Sequence, residues 1–535
     1  MADETDERPS WLIKVEQKRK ARDDALKPFL NQQAGDKDDA ITKIADVVEL
    51  ANKVAQGGFT TTEVVEEYIR KAVKAHQKTN CITEVLFDDA LQQAHQLDAH
   101  YAEHKRPIGP FHGVVMTLKD QFDVKGHDTT LGYVGRIAQP ATEDALIVSI
   151  LKGAGAVFIA KSNLPQTIMW CETENPLFGR TDHPLDPSLT PGGSTGGEAA
   201  LLAQQASLVG WGTDIGGSVR IPSHMTGLYA FKPSSGRLPY LGVPVSTEGQ
   251  EHIPSVVGPM ARSLDSIHSV VKTIIDTSPW THDPRVLPIP WREAEYRAAQ
   301  SRPLVIGLLV DDGVVKIHPP VERVLRAAAA KLEAAGHEIV EWDASDHQDC
   351  IKIMDQYYTA DGCEDILREV AKGGEPLVPH VQALVERAPA ISVYEYWQLN
   401  RQKQAAQRAY LDKWRTFKSP KSGRPVDVLL TPTMPHSAVP HRSCKWVGYT
   451  KIWNFLDYTA CVLPFGKVDK SVDVSKTSPA VSEYVGRNEL DRWNWALYDA
   501  EEMDGLPLSV QIVGQKLEEE KMLGVAKVVE EILRR

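Results

Sequence analysis

The chain has 535 residues, a net charge of −12, 42% hydrophobic and 25% charged residues, ordinary globular usage that lets a sizeable core form without disulfides or metal. The acidic balance excludes phosphate-backbone binding as the main role, which needs a basic surface, so no nucleic-acid partner is expected. Six scattered cysteines, an acidic start without an apolar leader, and no apolar run near the roughly 18 residues of a membrane span predict a reducing, cytoplasmic setting and no transmembrane segment.

Residues 1–40 are charged and contain a predicted helix from Trp11 to about Phe29, read as an N-terminal helical extension. From Ala40, Ile41, Ile44, Val47, Val48, Leu50, Ala51 and Val54 keep helical spacing until Gly57-Gly58. Thr60 and Glu63 then offer a capping box for a second helix with Val64, Val65, Tyr68, Ile69 and Val73 on one face. A third helix, from about Asp88 to Glu103, is followed by His104, four residues after His100; with no third ligand nearby, this pair reads as an exposed face and no metal is expected. Pro107–Gly113 is turn-rich, and the apolar run Val114–Leu118 ends in Lys119-Asp120. A helix near Ala145–Gly153 and a strand Ala156–Ala160 follow. Pro303–Leu309, a helix near Pro320–Ala335 and His337–Trp342 form a β-α-β pattern. Segments 276–300 and 415–425 read as surface connections, Asp427–Pro432 and Leu508–Gly514 as late strands, and the chain closes on a helix from Glu518.

The stretch Pro191–Pro222 holds two serines, Ser194 and Ser218, each beside a glycine pair and separated by a short amphipathic segment. Glycine pairs leave N–H groups free to point into a site. Gly192-Gly193-Ser194-Thr195-Gly196 fits the G-x-S-x-G elbow of α/β-hydrolases, but an elbow needs a strand running into the serine. Here His183–Pro191 carries three prolines, which a central strand does not tolerate. In Asp214-Ile215-Gly216-Gly217-Ser218, successive N–H groups of Ile215, Gly216, Gly217 and Ser218 can surround an oxyanion, with the Ser218 hydroxyl at the end of that nest. No histidine lies well placed nearby in sequence, whereas Lys119 ends a buried strand and becomes a base once desolvation lowers its pKa from about 10.4. Ser194 then bridges Lys119 and Ser218.

Lys119 in Leu118-Lys119-Asp120, Asp123–Gly126, Thr129–Gly132, the Gly192–Glu198 loop and Gly212–Pro222 together resemble the amidase signature family. The resemblance covers roughly 45–535 and is most specific through 113–262. Asn175–Thr181, Phe231–Pro239 and Glu248–Glu251 look most like acetamidase-type amidases of fungi, with mammalian-type fatty acid amide hydrolases next. The resemblance implies an α/β/α fold with a large mixed central sheet flanked by helices, and hydrolysis of a small-molecule carboxylic amide to the acid and ammonia or amine without a cofactor. It implies a Ser-cisSer-Lys triad: Ser218 nucleophile, Ser194 relay on a cis peptide, Lys119 base. Asp214 and Arg220 would support the loop, and Ile168, Met169 and Trp170 would lie near the acyl-binding mouth. Three departures stand out. Thr195 replaces a usual serine, Val115 stands where proline is common, and Tyr133 where a small residue is common.

The expected organisation is one domain over 41–535: N-terminal helices 41–105, a catalytic core 106–275, a variable substrate-shaping region 276–425, and closing strands and helix 426–535. Other readings stay open at this point. One is a glutaminase subunit of a tRNA-dependent amidotransferase, another an esterase using Ser194 with a histidine such as His252 or His436, and a third a non-catalytic binding scaffold. Oligomeric state is open, a homodimer included.

Overall fold

The computed structural model describes residues 8–30 and 38–535. The rest of the expected 1–40 extension, at 1–7 and 31–37, lies outside the described residues. Strands are β1 Ile82–Val85, β2 Val115–Lys119, β3 Val157–Ser162, β4 Glu174–Asn175, β5 Gly179–Arg180, β6 Val209–Asp214, β7 Tyr229–Lys232, β8 Val256–Ala261, β9 Val305–Leu308, β10 Glu338–Glu341, β11 Val428–Pro432, β12 Ala460–Lys467 and β13 Pro507–Val513. Eleven of them form one mixed sheet in the order β1-β3-β2-β6-β8-β7-β12-β13-β11-β9-β10; β4 and β5 form a separate hairpin. β2 runs parallel to both β3 and β6, and β9 parallel to β10 and β11. The pairs from β6 through β8, β7, β12 and β13 to β11 are antiparallel.

β2, β3, β6 and β8 are buried at every position, the mark of strands covered on both faces. The covering helices include Gly196–Ala203 against β6 and β2, Leu264–Asp276 against β8, and Glu519–Arg534 against β12. Most of the core is one apolar cluster reaching from Leu26 to Leu533. All six cysteines are buried free thiols.

The α/β/α layering with a large mixed sheet matches the expectation, and so does the β9–helix–β10 unit, whose helix spans Pro319–Ala334. The capping box is present: Thr60 accepts from the Glu63 N–H at 3.0 Å, and the Glu63 carboxylate accepts from the Thr60 N–H at 2.8 Å. The helix expected from Ala40 to Val54 is in fact two, Asp38–Lys43 and Val47–Ala55. The break falls at Asp46, whose carboxylate takes the N–H groups of Val48 and Glu49 and so starts a new helix instead of continuing the old one. Segment 276–300, expected as a connection, carries the short helix Glu293–Ala298 with no buried residue. The region 276–425 also contains a helix without a counterpart in the sequence reading, Val393–Thr416. Its signal was present: Ser392 and Glu395 form a second capping box.

The N-terminal helix Ser10–Leu26 is not a detached arm. Lys18 reaches Glu84 and Asp128, and Arg19 donates to the carbonyls of Leu177 and Pro176 at 2.7 and 2.9 Å. These contacts bind it across β1 and the 175–178 turn. Among the described residues no helix is long and apolar enough to cross a membrane.

Candidate active site

Lys119 is the last residue of β2, and β2 lies between two parallel neighbours, so its side chain leaves the strand end inside the protein and not at a rim. Its Nζ lies 2.6 Å from Ser194 Oγ and 3.0 Å from Thr213 Oγ1. The residue has no solvent exposure. Burial disfavours the ammonium and pulls the Lys119 pKa down to about 7, against the opposing pull of Asp214 and Asp120. Thr213 passes its own hydroxyl hydrogen to Gln121 Oε1 at 2.7 Å. Thr213 therefore presents its lone pairs to Lys119; Lys119 is the last residue of β2 and Thr213 the penultimate one of the adjacent β6, in a register that pairs Leu118 with Trp211.

Ser194 sits in an irregular loop and not after a strand, and the Gly193–Ser194 peptide is cis. The glycine is required: a Cβ on Gly193 would lie 2.6 Å from the backbone nitrogen of Glu172. Ser218 instead follows β6 and precedes the helix Arg220–Thr226, so the strand–turn–helix placement belongs to this second loop. The two loops are joined by the Thr195 N–H, which donates to the Ser218 carbonyl at 3.1 Å.

Asp214 and Arg220 shape that turn from beneath. Both are fully buried, and the guanidinium meets the carboxylate through two bonds, Nε–Oδ2 at 3.0 Å and Nη2–Oδ1 at 2.9 Å. Burial alone would raise the Asp214 pKa, but the Arg220 charge and its hydrogen bonds bring it down to about 2. Arg220 also donates to the Thr450 carbonyl, Gln511 and Asn454. Asp214 accepts from the N–H of Gly217 at 2.8 Å and of Val219 at 3.3 Å. This corrects one expectation: the Gly217 N–H is engaged by Asp214 and does not face the cavity. The N–H groups of Ile215, Gly216 and Ser218 make no hydrogen bond among the described residues. Their neighbouring carbonyls are tied back, Ile215 by the Tyr358 hydroxyl at 3.1 Å and Gly216 by Thr450 at 2.7 Å.

Ser194, Thr213, Ile215 and Ser218 border one small cavity together with Ile168 and Met169. Ser218, Ile168 and Met169 also border a wider one of about 260 Å³ that includes Trp170, Gly216 and Tyr358. Ser218 stands where the two meet, 8% exposed. Ile168 holds a left-handed φ of 60°, rare for a β-branched residue, fixed by its N–H to the Pro165 carbonyl at 2.9 Å. Neither cavity is lined by a histidine. His252 stacks on Tyr357 at 4.7 Å, and His436 turns Nδ1 to the Ser437 carbonyl at 2.7 Å. His104 is exposed, with its ring 4.5 Å from that of His100.

A family model described as Amidase matches residues 63–523. The chain belongs to the amidase signature family. Among curated relatives, "Amidase 1" of Gibberella moniliformis is 53% identical over 98% of this chain and 99% of its own length. The "Acetamidase" of Emericella nidulans is 38% identical over 91% and 89% respectively. Among solved structures a fatty acid amide hydrolase superposes with a TM-score of 0.91 at 30% identity, covering 98% of this chain and 95% of that one.

Against the family pattern, the three departures have local explanations. The Thr195 methyl lies over Gly212, so close that a Cβ on that glycine would be 2.5 Å away, while its hydroxyl is buried without a partner. Val115 is the buried first residue of β2, paired with Val157 of β3. Tyr133 is buried, bonds Ser246 at 2.8 Å through its hydroxyl, and packs in the cluster that holds Ile168 and Leu384. It thus shapes the cavity wall from behind.

The sequence reading missed Thr213, Thr450, Asn454 and Tyr358. Thr213 stood inside the quoted Gly212–Pro222 motif, and its place at the end of a strand beside that of Lys119 was the available signal. The other three come from 358–454 and had none, because only folding brings them beneath the turn.

Proposed function

We propose that this amidase cleaves a carboxylic amide through an acyl-enzyme on Ser218, with Ser194 as relay and Lys119 as base. The observation that carries the reading is the 2.6 Å approach of a fully buried lysine to Ser194 within the cavity that Ser218 also lines. Lys119, with a pKa drawn to about 7, is neutral in a large fraction of molecules near neutral pH. Its Nζ lone pair takes the Ser194 proton as Ser194 takes that of Ser218. The Ser218 oxygen bonds to the carbonyl carbon, and the C=O electron pair moves onto oxygen.

That oxyanion would be held by the free N–H groups of Ile215, Gly216 and Ser218, in a turn fixed by Asp214 and Arg220. When the tetrahedral species collapses, the C–N bond breaks. Ser194 gives its proton to the departing nitrogen, and Lys119 restores it. Water then attacks the Ser218 ester by the same relay, releasing the acid and the free hydroxyl. One proton departs on the amine and one is supplied by water, so Ser218, Ser194 and Lys119 each end as protonated as they began and the cycle consumes only amide and water.

Labelling with a fluorophosphonate followed by peptide mapping tests the assignment. Modification at Ser218 supports it, and modification at Ser194 replaces it with an elbow-type esterase. Hydrolysis of acetamide or an anilide by the purified chain alone would oppose a role as one subunit of an amidotransferase.

A further inference from the structure

The wider cavity beside Ser218 has both an apolar and a charged lining. Met169, Trp446 and Leu490 contribute apolar walls; Asp355, Arg387, Lys445 and Lys451 contribute charge. Asp355 and Lys451 form an ion pair with each other and cancel. Arg387 and Lys445 pair with no carboxylate among the described residues. Lys445 rests its ammonium 3.4 Å from the centre of the Trp493 ring, which orients it without neutralising it. Two unneutralised cations therefore face a cavity that opens on the nucleophile, in a chain whose net charge is −12. An acidic protein gains nothing in stability from leaving them unpaired at one mouth. An anion on the ligand is the partner their chemistry fits.

We infer that the preferred substrate is an amide carrying a carboxylate, held by Arg387 and Lys445 while the scissile carbonyl meets Ser218. The inference rests on the proposed reaction and names the substrate class of that same site. The apolar walls that share the cavity with the cations and Ser218 match a hydrocarbon or aryl spacer between the carboxylate and the amide. Arg387 and Lys445 are both exposed and lie outside the buried core, so their neutral replacements leave the fold intact.

The test uses two matched pairs of anilides. Glutaranilic acid against valeranilide places the carboxylate on the acyl side; 4-acetamidobenzoate against acetanilide places it on the amine side. At least one carboxylate member is expected to exceed its neutral partner by about tenfold in kcat/KM, the scale of a partly exposed charge-assisted contact. Which pair shows it identifies the side. The excess should fall toward unity in the Arg387→Gln/Lys445→Gln variant, and should shrink as salt is raised to ~1 M, where such pairs are screened. A purely structural role would not produce that salt dependence. Titration calorimetry on the Ser218→Ala chain reads binding of the same four compounds independently of turnover. Turnover of the neutral anilides without any carboxylate preference overturns the inference and leaves amide hydrolysis standing. Tighter carboxylate binding that the double variant abolishes, with no turnover of any anilide by the unsubstituted chain, supports the cationic mouth and counts against the proposed reaction.

Discussion

Lys119 and Ser194 are 75 residues apart in the chain, yet Nζ of the first lies 2.6 Å from Oγ of the second, with the lysine wholly shielded from solvent. Their placement depends on two different devices. A buried parallel strand delivers the lysine, and a loop held tight against Glu172 delivers the serine. The same burial that packs the lysine lowers its pKa into the range where it can accept a proton.

Ser218→Ala is expected to reduce amide turnover by at least about 10³-fold, because it removes the attacking atom and not a supporting contact. Its melting temperature should stay within a few degrees of the parent, since Ser218 makes no side-chain hydrogen bond among the described residues. Unchanged steady-state kinetics in this variant would remove the nucleophile assignment.

Lys119→Met should abolish activity and also change how stability varies with pH. The folded-state pKa of about 7 lies below the ordinary lysine value of 10.5, so between those values the unfolded chain holds a proton that the folded one has lost. Folding stability therefore rises with pH across that window, by up to about 1.4 kcal/mol per unit from this group. Below about pH 7 the penalty of the buried charge is fully present. Denaturant titrations from pH 6 to 10 should show a rise in the parent that is flatter in Lys119→Met. In the parent, kcat/KM should climb as pH passes about 7 and the lysine is deprotonated.

Thr213→Val keeps the shape and removes the oxygen 3.0 Å from Lys119. It also leaves Gln121 Oε1 without its 2.7 Å donor. A drop of about tenfold in kcat with a shifted pH midpoint is expected, since the hydroxyl orients the base without touching substrate. A change confined to KM would place Thr213 in binding instead.

Arg220→Met leaves the Asp214 carboxylate buried without its partner. Breaking one side of such a pair costs about 3–5 kcal/mol, and the 215–218 turn loses its anchor at the same time. Thermal unfolding should show the loss and kcat should fall with it. Asp214 itself has a folded pKa of about 2, below the ordinary aspartate value of 3.8, so its contribution is present above pH 4 and is lost only as pH falls through about 2. Acid titration of the parent between pH 5 and 7 should reveal no transition from this pair.

The chemistry-bearing residues were readable in the chain because their signals are local. A glycine pair before a serine and a lysine ending an apolar run each express a constraint within a few residues, whereas Asp214 and Arg220 came only through the family resemblance. Helix ends were equally legible where a side chain caps its own backbone, as at Thr60. The Ala40–Val54 reading failed because periodicity passes over a cap inside the run: Asp46 takes the Val48 and Glu49 N–H groups, and Ser263 and Ser266, more than 200 residues away, donate to the same carboxylate. The Gly217 N–H was misplaced for a similar reason. A nest of four free amides is the local optimum, but a buried, charged Asp214 at the start of the turn claims one of them.

What the sequence by itself determined is the family and the candidate reacting groups, since spacing along a backbone restricts which side chains can share a turn. What only the tertiary structure decided is their environment: how deeply Lys119 is buried, which amides stay free, and that Arg387 and Lys445 line one cavity without an ion pair to a carboxylate among the described residues. Depth of burial and free amides depend on dielectric and distance, which are set by segments far apart in the chain and come into being only when the sheet closes around them.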